Sequence, residues 1–279
     1  MEIRTVGVIG CGLMGSGIAQ ACAQAGYTTL VREVTPELLE QGMARLNRSL
    51  ARAKISDDER SAALSRITPT TALADLAGCD LIIEAIVENL PAKRELYAEL
   101  DQICPPETIF ASNTSAISII DMAVATSRAD RFAGLHFFNP VPVMKLVELV
   151  RSIATSQATV DTLRAFGEAL GKTVVQAKDM PGFIVNRLLI PYLIDAVRLL
   201  EGGLATREEI DAGMKLGCSH PMGPLELLDF VGLDTAFYVA LVMYEEFKEP
   251  RFAPPPLLKQ MVAAGYLGRK SGRGFYEYS

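Results

Sequence analysis

One stretch near the N-terminus, TVGVIGCGLMGSG, restricts this chain more than any other. Thr5 to Ile9 is short, apolar and β-branched, as a buried strand should be. Gly10-Cys11-Gly12-Leu13-Met14-Gly15 follows. After it comes a helical run, SGIAQACAQAG, stopping at Gly26 where a C-terminal cap belongs. A second strand-like run, TTLVRE, is next. Strand, glycine turn, helix, strand is the building unit of a parallel sheet, because parallel neighbours need a crossover.

The pattern continues. Thr35-Pro36-Glu37 opens a helix with threonine at the N-cap and proline at the first turn. Ser56 with Glu59 spells a capping box for another. CDLIIEAIVE (79–88) reads as a buried strand and PAKRELYAELDQIC as a helix. TIFASN, RFAGLHFF and MKLVELV supply further strands, and the alternation runs to about residue 178. At AKDMPGF (177–183) a Pro-Gly punctuation marks a domain junction. Beyond it the signals are helical: IVNRLLIPYLIDAVRLLEGG, a Thr206/Glu209 capping box, PLELLDFVG and LDTAFYVALVMYEEF. Pro254-Pro255-Pro256 reads as a rigid loop. The expected architecture is an α/β domain with a parallel sheet over residues 1–180, then a smaller all-α domain over 184–279. Helix 184–201 is apolar on more than one face, which suits burial between domains or subunits.

Composition removes several function classes. With 33 acidic against 27 basic residues, a net charge of −6 and no basic block, the chain does not read as a nucleic-acid binder. Its five cysteines form no CxxC or Cys/His cluster, so they read as reduced thiols of a cytoplasmic protein with no metal site. Asn186-Arg187, Asp195 and Arg198 interrupt the longest apolar stretches, and no membrane span is expected. The first residues lead straight into a strand pattern, which leaves no place for a targeting peptide.

The glycine turn carries the first functional reading. A bare GxGxxG is weak, but here it joins a strand to a helix, and Glu33 closes the second strand eighteen residues past Gly15. This is the Rossmann-type dinucleotide fingerprint. Gly10 permits the tight turn, Gly12 lets backbone approach a pyrophosphate, and Gly15 lets the helix pack on the strand. The helix start, at Leu13 and Met14, offers free N–H groups and a partial positive charge to phosphates. Glu33 would accept both adenosine ribose hydroxyls and repel a 2′-phosphate, which favours NAD over NADP. Strand alternation is expected to turn Arg32 to the opposite side. A blander role for Glu33 is to favour the N-terminus of the next helix.

His136, in GLHFFNP (134–140), is one of only two histidines. A buried imidazole is costly unless its nitrogens are bonded, so the heptapeptide alone reads as a satisfied core histidine. Its surroundings say more. SNTS (112–115) ends a strand, where ligands sit in open parallel sheets. Glu148 lies on or just after the next strand, and Asn186 opens the long helix. Oxidising an alcohol by hydride transfer needs a base, a group to hold that base, and donors for the substrate oxygens. Singly, Glu148 could be a solvated strand-end acid, Asn186 an N-cap and Ser115 a turn residue. His220, in SHPMGP, reads as a loop histidine packing the helical domain.

Together VIGCGLMGSGIAQ, EAIVEN, FASNTS, RFAGLHFFNPVPVMKLVELV, PGFIVNR, HPMGPLEL and SGRGFYEY resemble the L-3-hydroxyacyl-CoA dehydrogenase family, from end to end of the chain. The resemblance implies a short-chain acyl-CoA substrate in the cleft between domains and a homodimer through the helical domain. It makes His136 the catalytic base, Glu148 its paired carboxylate, and Ser115 and Asn186 the residues that hold the substrate oxygens. Glu88, Lys93, Asn113, Asn139 and Lys270 match positions around NAD. Ser49 falls where the family touches CoA, and Lys54 where a CoA phosphate contact is expected. Three positions depart from the pattern. Glu33 stands where aspartate is usual, and Cys11 where alanine or glycine is common. The stretch after Ser49 has only Arg52 and Lys54 where several lysines are common.

Two rival functions are separable. A dehydrogenase for a free hydroxy acid would want an arginine beside these motifs, and none stands there. A NAD-binding sensor without turnover has no need of His136, Glu148, Ser115 and Asn186 together.

Overall fold

The computed structural model describes residues 2–278. The chain forms two compact units, one up to Asp179 and one from Met180. In the first, β1 (Thr5–Ile9) leads through the glycine turn into α1 (Leu13–Gln24) and β2 (Thr28–Arg32). Thr35 caps α2 (Pro36–Arg52) by accepting the Leu38 N–H, and the Ser56/Glu59 box opens α3 (Asp57–Ser65). Then come β3 (Ile67–Thr70), β4 (Leu81–Glu84), α4 (Leu90–Ile103), β5 (Ile109–Ser112) and α5 (Ile119–Ala123). β6 (Phe132–Phe137), β7 (Leu146–Arg151), α6 (Gln157–Ala169) and β8 (Thr173–Lys178) complete the unit.

The sheet order is β3-β2-β1-β4-β5-β6-β7-β8. The chain moves outward from β1 to β2 on one side and β4 on the other. Their diverging C-terminal ends make the switch point at which open α/β sheets bind ligands. Two features differ from the sequence expectation. β7 pairs antiparallel to β6, and β8 parallel to β7, so the last two strands run against the rest. β3 was not foreseen, because Pro69 sits within it. Proline lacks the ladder N–H but is tolerated there, since β3 is an edge strand.

Alternation along the strands divides the core. Val8, Ile83, Ala111 and Leu135 join α1 and α2 residues such as Ile18 and Leu46 in one cluster. The intervening Phe110 and Phe132 pack with Tyr97 of α4 on the other face.

The second unit holds α7 (Val185–Glu201), α8 (Arg207–Gly217), α9 (Pro224–Val231), α10 (Leu233–Phe247) and α11 (Pro256–Ala263). Two buried carboxylates join it. Gly223 has no side chain with which to cap α9, and Asp211 of α8 accepts the Leu225 and Glu226 N–H groups instead, at 2.8 and 3.0 Å. Asp229 of α9 accepts Phe275 N and Tyr276 N at 2.8 Å each and the Tyr278 hydroxyl at 2.9 Å. The SGRGFYEY segment is thus tied to α9. Two readings are corrected here. Pro256 is the first residue of α11, so the proline cluster starts a helix. Asn186 is not an N-cap, because Ile184 holds that place. His220, as expected, lies against the helical unit: although exposed, its ring meets that of Tyr192 of α7 edge-on at 5.7 Å between centroids and bonds the Tyr192 hydroxyl at 3.1 Å. No single helix among the described residues is long and apolar enough to cross a membrane.

Candidate active site

The site grows from the pairing of β6 with β7. Antiparallel register sets His136 directly opposite Glu148, so both side chains project from the same face of the sheet. Both are buried, and His136 Nδ1 lies 2.7 Å from Glu148 Oε2. An ionised carboxylate only accepts, which places the imidazole proton on Nδ1 and makes Nε2 the accepting nitrogen. Ser115 Oγ lies 3.1 Å from that nitrogen. Asn113 Oδ1 accepts the Phe137 N–H at 2.8 Å, locking the strand beside the histidine. The loop between β6 and β7 is held by Lys172, whose ammonium donates to Val141 O and Met144 O at 2.6 and 2.7 Å.

Ser115 owes its position to a buried polar network. Glu88 Oε1 accepts the Ser115 N–H at 2.7 Å and the Thr114 hydroxyl at 3.0 Å. Lys93 pairs with Glu88 at 3.2 Å and Glu84 at 2.6 Å, and is only 1% exposed. Its ammonium is enclosed by carboxylates and is linked to Ser115 through Glu88. Glu84 is wholly buried at the end of β4 and takes bonds from Ile86 N and Ser112 Oγ, each at 2.7 Å. Burial holds the neighbouring Tyr97 hydroxyl well above its ordinary pKa, as a donor to Ala111 O at 3.0 Å. Sequence reasoning passed over Glu84, because an acid ending LIIE looks like a strand terminus.

The glycine-turn end of the sheet is also shaped. Gly10 has φ +89°, and a Cβ there would lie 2.6 Å from Ala85 O, so the turns after β1 and β4 touch. A Cβ on Gly15 would fall 1.7 Å from Gly10 O, whereas one on Gly12 would meet nothing within 4 Å. Open space therefore faces Gly12 at the start of α1, whose N-cap carries no side chain. A cleft of about 560 Å³ extends from this point past Glu33, Val87 and Leu96. Glycine turn, free helix end and acid-bordered cleft fit a dinucleotide.

The 3-hydroxyacyl-CoA dehydrogenase NAD-binding domain matches residues 5–180, and the C-terminal domain of the same family matches 182–278. The chain belongs to the 3-hydroxyacyl-CoA dehydrogenase family. Membership makes it an NAD-dependent oxidoreductase. It is 51% identical to the 3-hydroxybutyryl-CoA dehydrogenase of Mycobacterium tuberculosis, over 99% of each chain. It is 48% identical to the mitochondrial hydroxyacyl-coenzyme A dehydrogenase of Homo sapiens, over 99% of this chain and 91% of that one. The crystal structure of (S)-3-hydroxybutyryl-CoA dehydrogenase PaaH1 from Ralstonia eutropha superposes with a TM-score of 0.95, at 48% identity and full coverage of both.

Within this dehydrogenase, several residues stand differently from expectation. Arg32 borders the same cleft as Glu33. Glu33 lies one residue beyond β2, where the pleat no longer dictates sides, and Arg32 reaches Thr71 O with its Nε at 3.4 Å. Glu33 accepts Cys11 N at 2.7 Å and Val34 N at 3.1 Å, which ties the acid to the glycine turn. Ser49 lies inside α2, which continues to Arg52. A second cavity, of about 780 Å³, is bordered by Ser49, Arg52 and Lys54, and also by Arg45 and Arg48. The cation supply is therefore larger than the stretch after Ser49 suggested. Spacing of i, i+3, i+7 on one helix was the signal for Arg45 and Arg48. Asn139 is exposed after β6, and in the helical unit Lys270 pairs with Asp234 at 2.5 Å. Among the described residues no cluster could hold a metal.

Proposed function

We propose that the protein interconverts a short-chain (3S)-3-hydroxyacyl-CoA, 3-hydroxybutyryl-CoA above all, and its 3-oxoacyl-CoA, with His136 as general base and Glu148 as its anchor. The observation that carries this is the Ser115–His136–Glu148 chain, with a proton-accepting Nε2 at one end and a buried carboxylate at the other. In the oxidative direction His136 Nε2 takes the C3 hydroxyl proton while hydride leaves C3. NAD, when bound, supplies the hydride acceptor. Glu148 fixes the tautomer and stabilises the imidazolium that forms, and in the reductive direction that imidazolium returns the proton. Ser115 and Asn186 orient the substrate oxygens. Glu33 and the amides of Leu13 and Met14 would hold the dinucleotide, with Glu88, Lys93, Asn113, Asn139 and Lys270 around it. The cations beside Ser49 and Lys54 suit the phosphates of CoA, which supports an acyl-CoA over a free hydroxy acid.

The same reading gives the unit from Met180 substrate-binding and dimerisation roles in a cytoplasmic homodimer. Leu188, Leu204 and Leu216 leave apolar surface exposed on it, in support of a subunit contact. NADH consumption with acetoacetyl-CoA, longer 3-oxoacyl-CoAs and free acetoacetate in parallel tests the reading. Acetoacetyl-CoA should be turned over with the highest kcat/KM. Preference for free acetoacetate would overturn it.

A further inference from the structure

The residue between Gly10 and Gly12 is gripped from two sides. Cys11 N–H donates to Glu33 at 2.7 Å, and Cys11 O accepts from Arg45 Nη1 at 3.2 Å. Gly42 of α2 makes the second grip possible, since a Cβ there would lie 2.4 Å from that carbonyl oxygen. Arg45 thus touches the glycine turn, and it also borders the 780 Å³ cavity with Arg48, Arg52 and Lys54. Among the described residues, no acidic one borders that cavity.

We propose that Arg45 is a positioning residue that couples occupation of this cationic cavity to dinucleotide affinity at the glycine turn. The proposal rests on the acyl-CoA reading above. With the cavity free of anions, four like charges repel, and the Arg45 bond to Cys11 O competes with solvation of the guanidinium. A phosphate among them removes the repulsion and holds Arg45 inward. A guanidinium has donors enough to bind a phosphate and a carbonyl together. Cys11 O is then gripped for more of the time, and the turn is presented to NAD already ordered. Coupling of this kind is reciprocal, so NAD must tighten CoA by the same factor.

Free coenzyme A is the probe, because it carries the phosphates without a reactive acyl group. NADH affinity is read from nicotinamide fluorescence, with and without saturating CoA or 3′-dephospho-CoA, in wild type, Arg45→Met and Arg48→Met. In wild type, CoA should tighten NADH by about three- to tenfold, a modest allosteric coupling. Arg45→Met should abolish that gain. Arg48→Met should weaken CoA but keep the gain at saturation, which separates lost charge from lost connection. A smaller gain with 3′-dephospho-CoA identifies the 3′-phosphate as the coupling group, and an equal gain assigns the coupling to the pyrophosphate. Wild type that turns over acetoacetyl-CoA without any coupling, or Arg45→Met that retains it, overturns the proposal alone. Wild type that neither binds CoA nor reduces acetoacetyl-CoA overturns the parent reading as well.

Discussion

At the scale of single residues, the proposed base is an imidazole whose neighbours decide its form. His136→Ala is expected to lower kcat by at least about 10²–10⁴-fold, the range of general-base contributions, with NADH binding retained. Glu148→Gln keeps the shape but offers Nδ1 an amide, so the tautomer is no longer enforced. Its loss should be of similar size and also lie in kcat. Steady-state kinetics with direct NADH titration checks both, and near-normal turnover in His136→Ala would remove the histidine from its role. Glu33 and Arg32 make a second pair. Both border one cleft, and on the proposed reading Glu33→Ala removes the group that repels a 2′-phosphate and leaves a guanidinium that attracts one. The ratio of kcat/KM for NADH over NADPH should fall by about tenfold or more, the worth of one charge-assisted hydrogen bond. An unchanged ratio would mean that Arg32 stays on Thr71. The glycine turn was legible in the sequence because its backbone geometry selects glycine, as at Gly10 with φ +89°. The side on which Arg32 lies was not, because it depends on where β2 ends.

At the scale of elements, what matters is which strands and helices meet. Twelve residues separate His136 from Glu148, and no spacing rule says that they face one another. That needs β7 to turn back against β6, whereas the βαβ pattern led to a parallel sheet. Caps, by contrast, were readable, because Thr35, Ser56 and Thr206 each bond within their own turn. Glu84 belongs to the unreadable class. Its partners come from α4 and from the end of β5, which only the folded sheet brings together. Removing its charge with Glu84→Gln leaves Lys93 with one carboxylate in place of two. The Ser112–Ser115 turn should loosen, and kcat should fall about tenfold or more, as for the loss of one buried charged contact. KM for acetoacetyl-CoA should change less than kcat, and Glu84→Asp should recover little because the shorter arm cannot span both partners. Equal loss of kcat and of melting temperature in every variant would mark a purely structural role. The Gly42 contact between α2 and the glycine turn is testable in the same spirit. Gly42→Ala should cost roughly 1–3 kcal/mol of stability through overpacking, measured by urea unfolding, and should raise KM for NADH.

At the scale of the whole molecule, the chain forms two compact units, one up to Asp179 and one from Met180. Asp229 holds the final segment of the second unit through three bonds. Asp229→Ala should therefore destabilise that unit by about 2 kcal/mol or more, because it leaves buried N–H groups without acceptors. Loss of protection at the Phe275 and Tyr276 amides in hydrogen exchange would show where the damage lies. A wider consequence follows from helices whose caps come from elsewhere. The first amides of α5 are bound by Asp179, about sixty residues downstream, at 2.8 Å each. Arg128 binds carbonyls at the end of α4, including Cys104 O at 3.0 Å, and Asp211 binds the start of α9. The self-capped α2, α3 and α8 can gain partial order as local sequence alone. α5 and α9 cannot, since a five- or eight-residue helix with open ends does not persist in water. In a pulse-labelled refolding experiment, their amides should acquire protection only with the arrival of β8 and α8, respectively. These two short helices are thus clocks for the completion of their units.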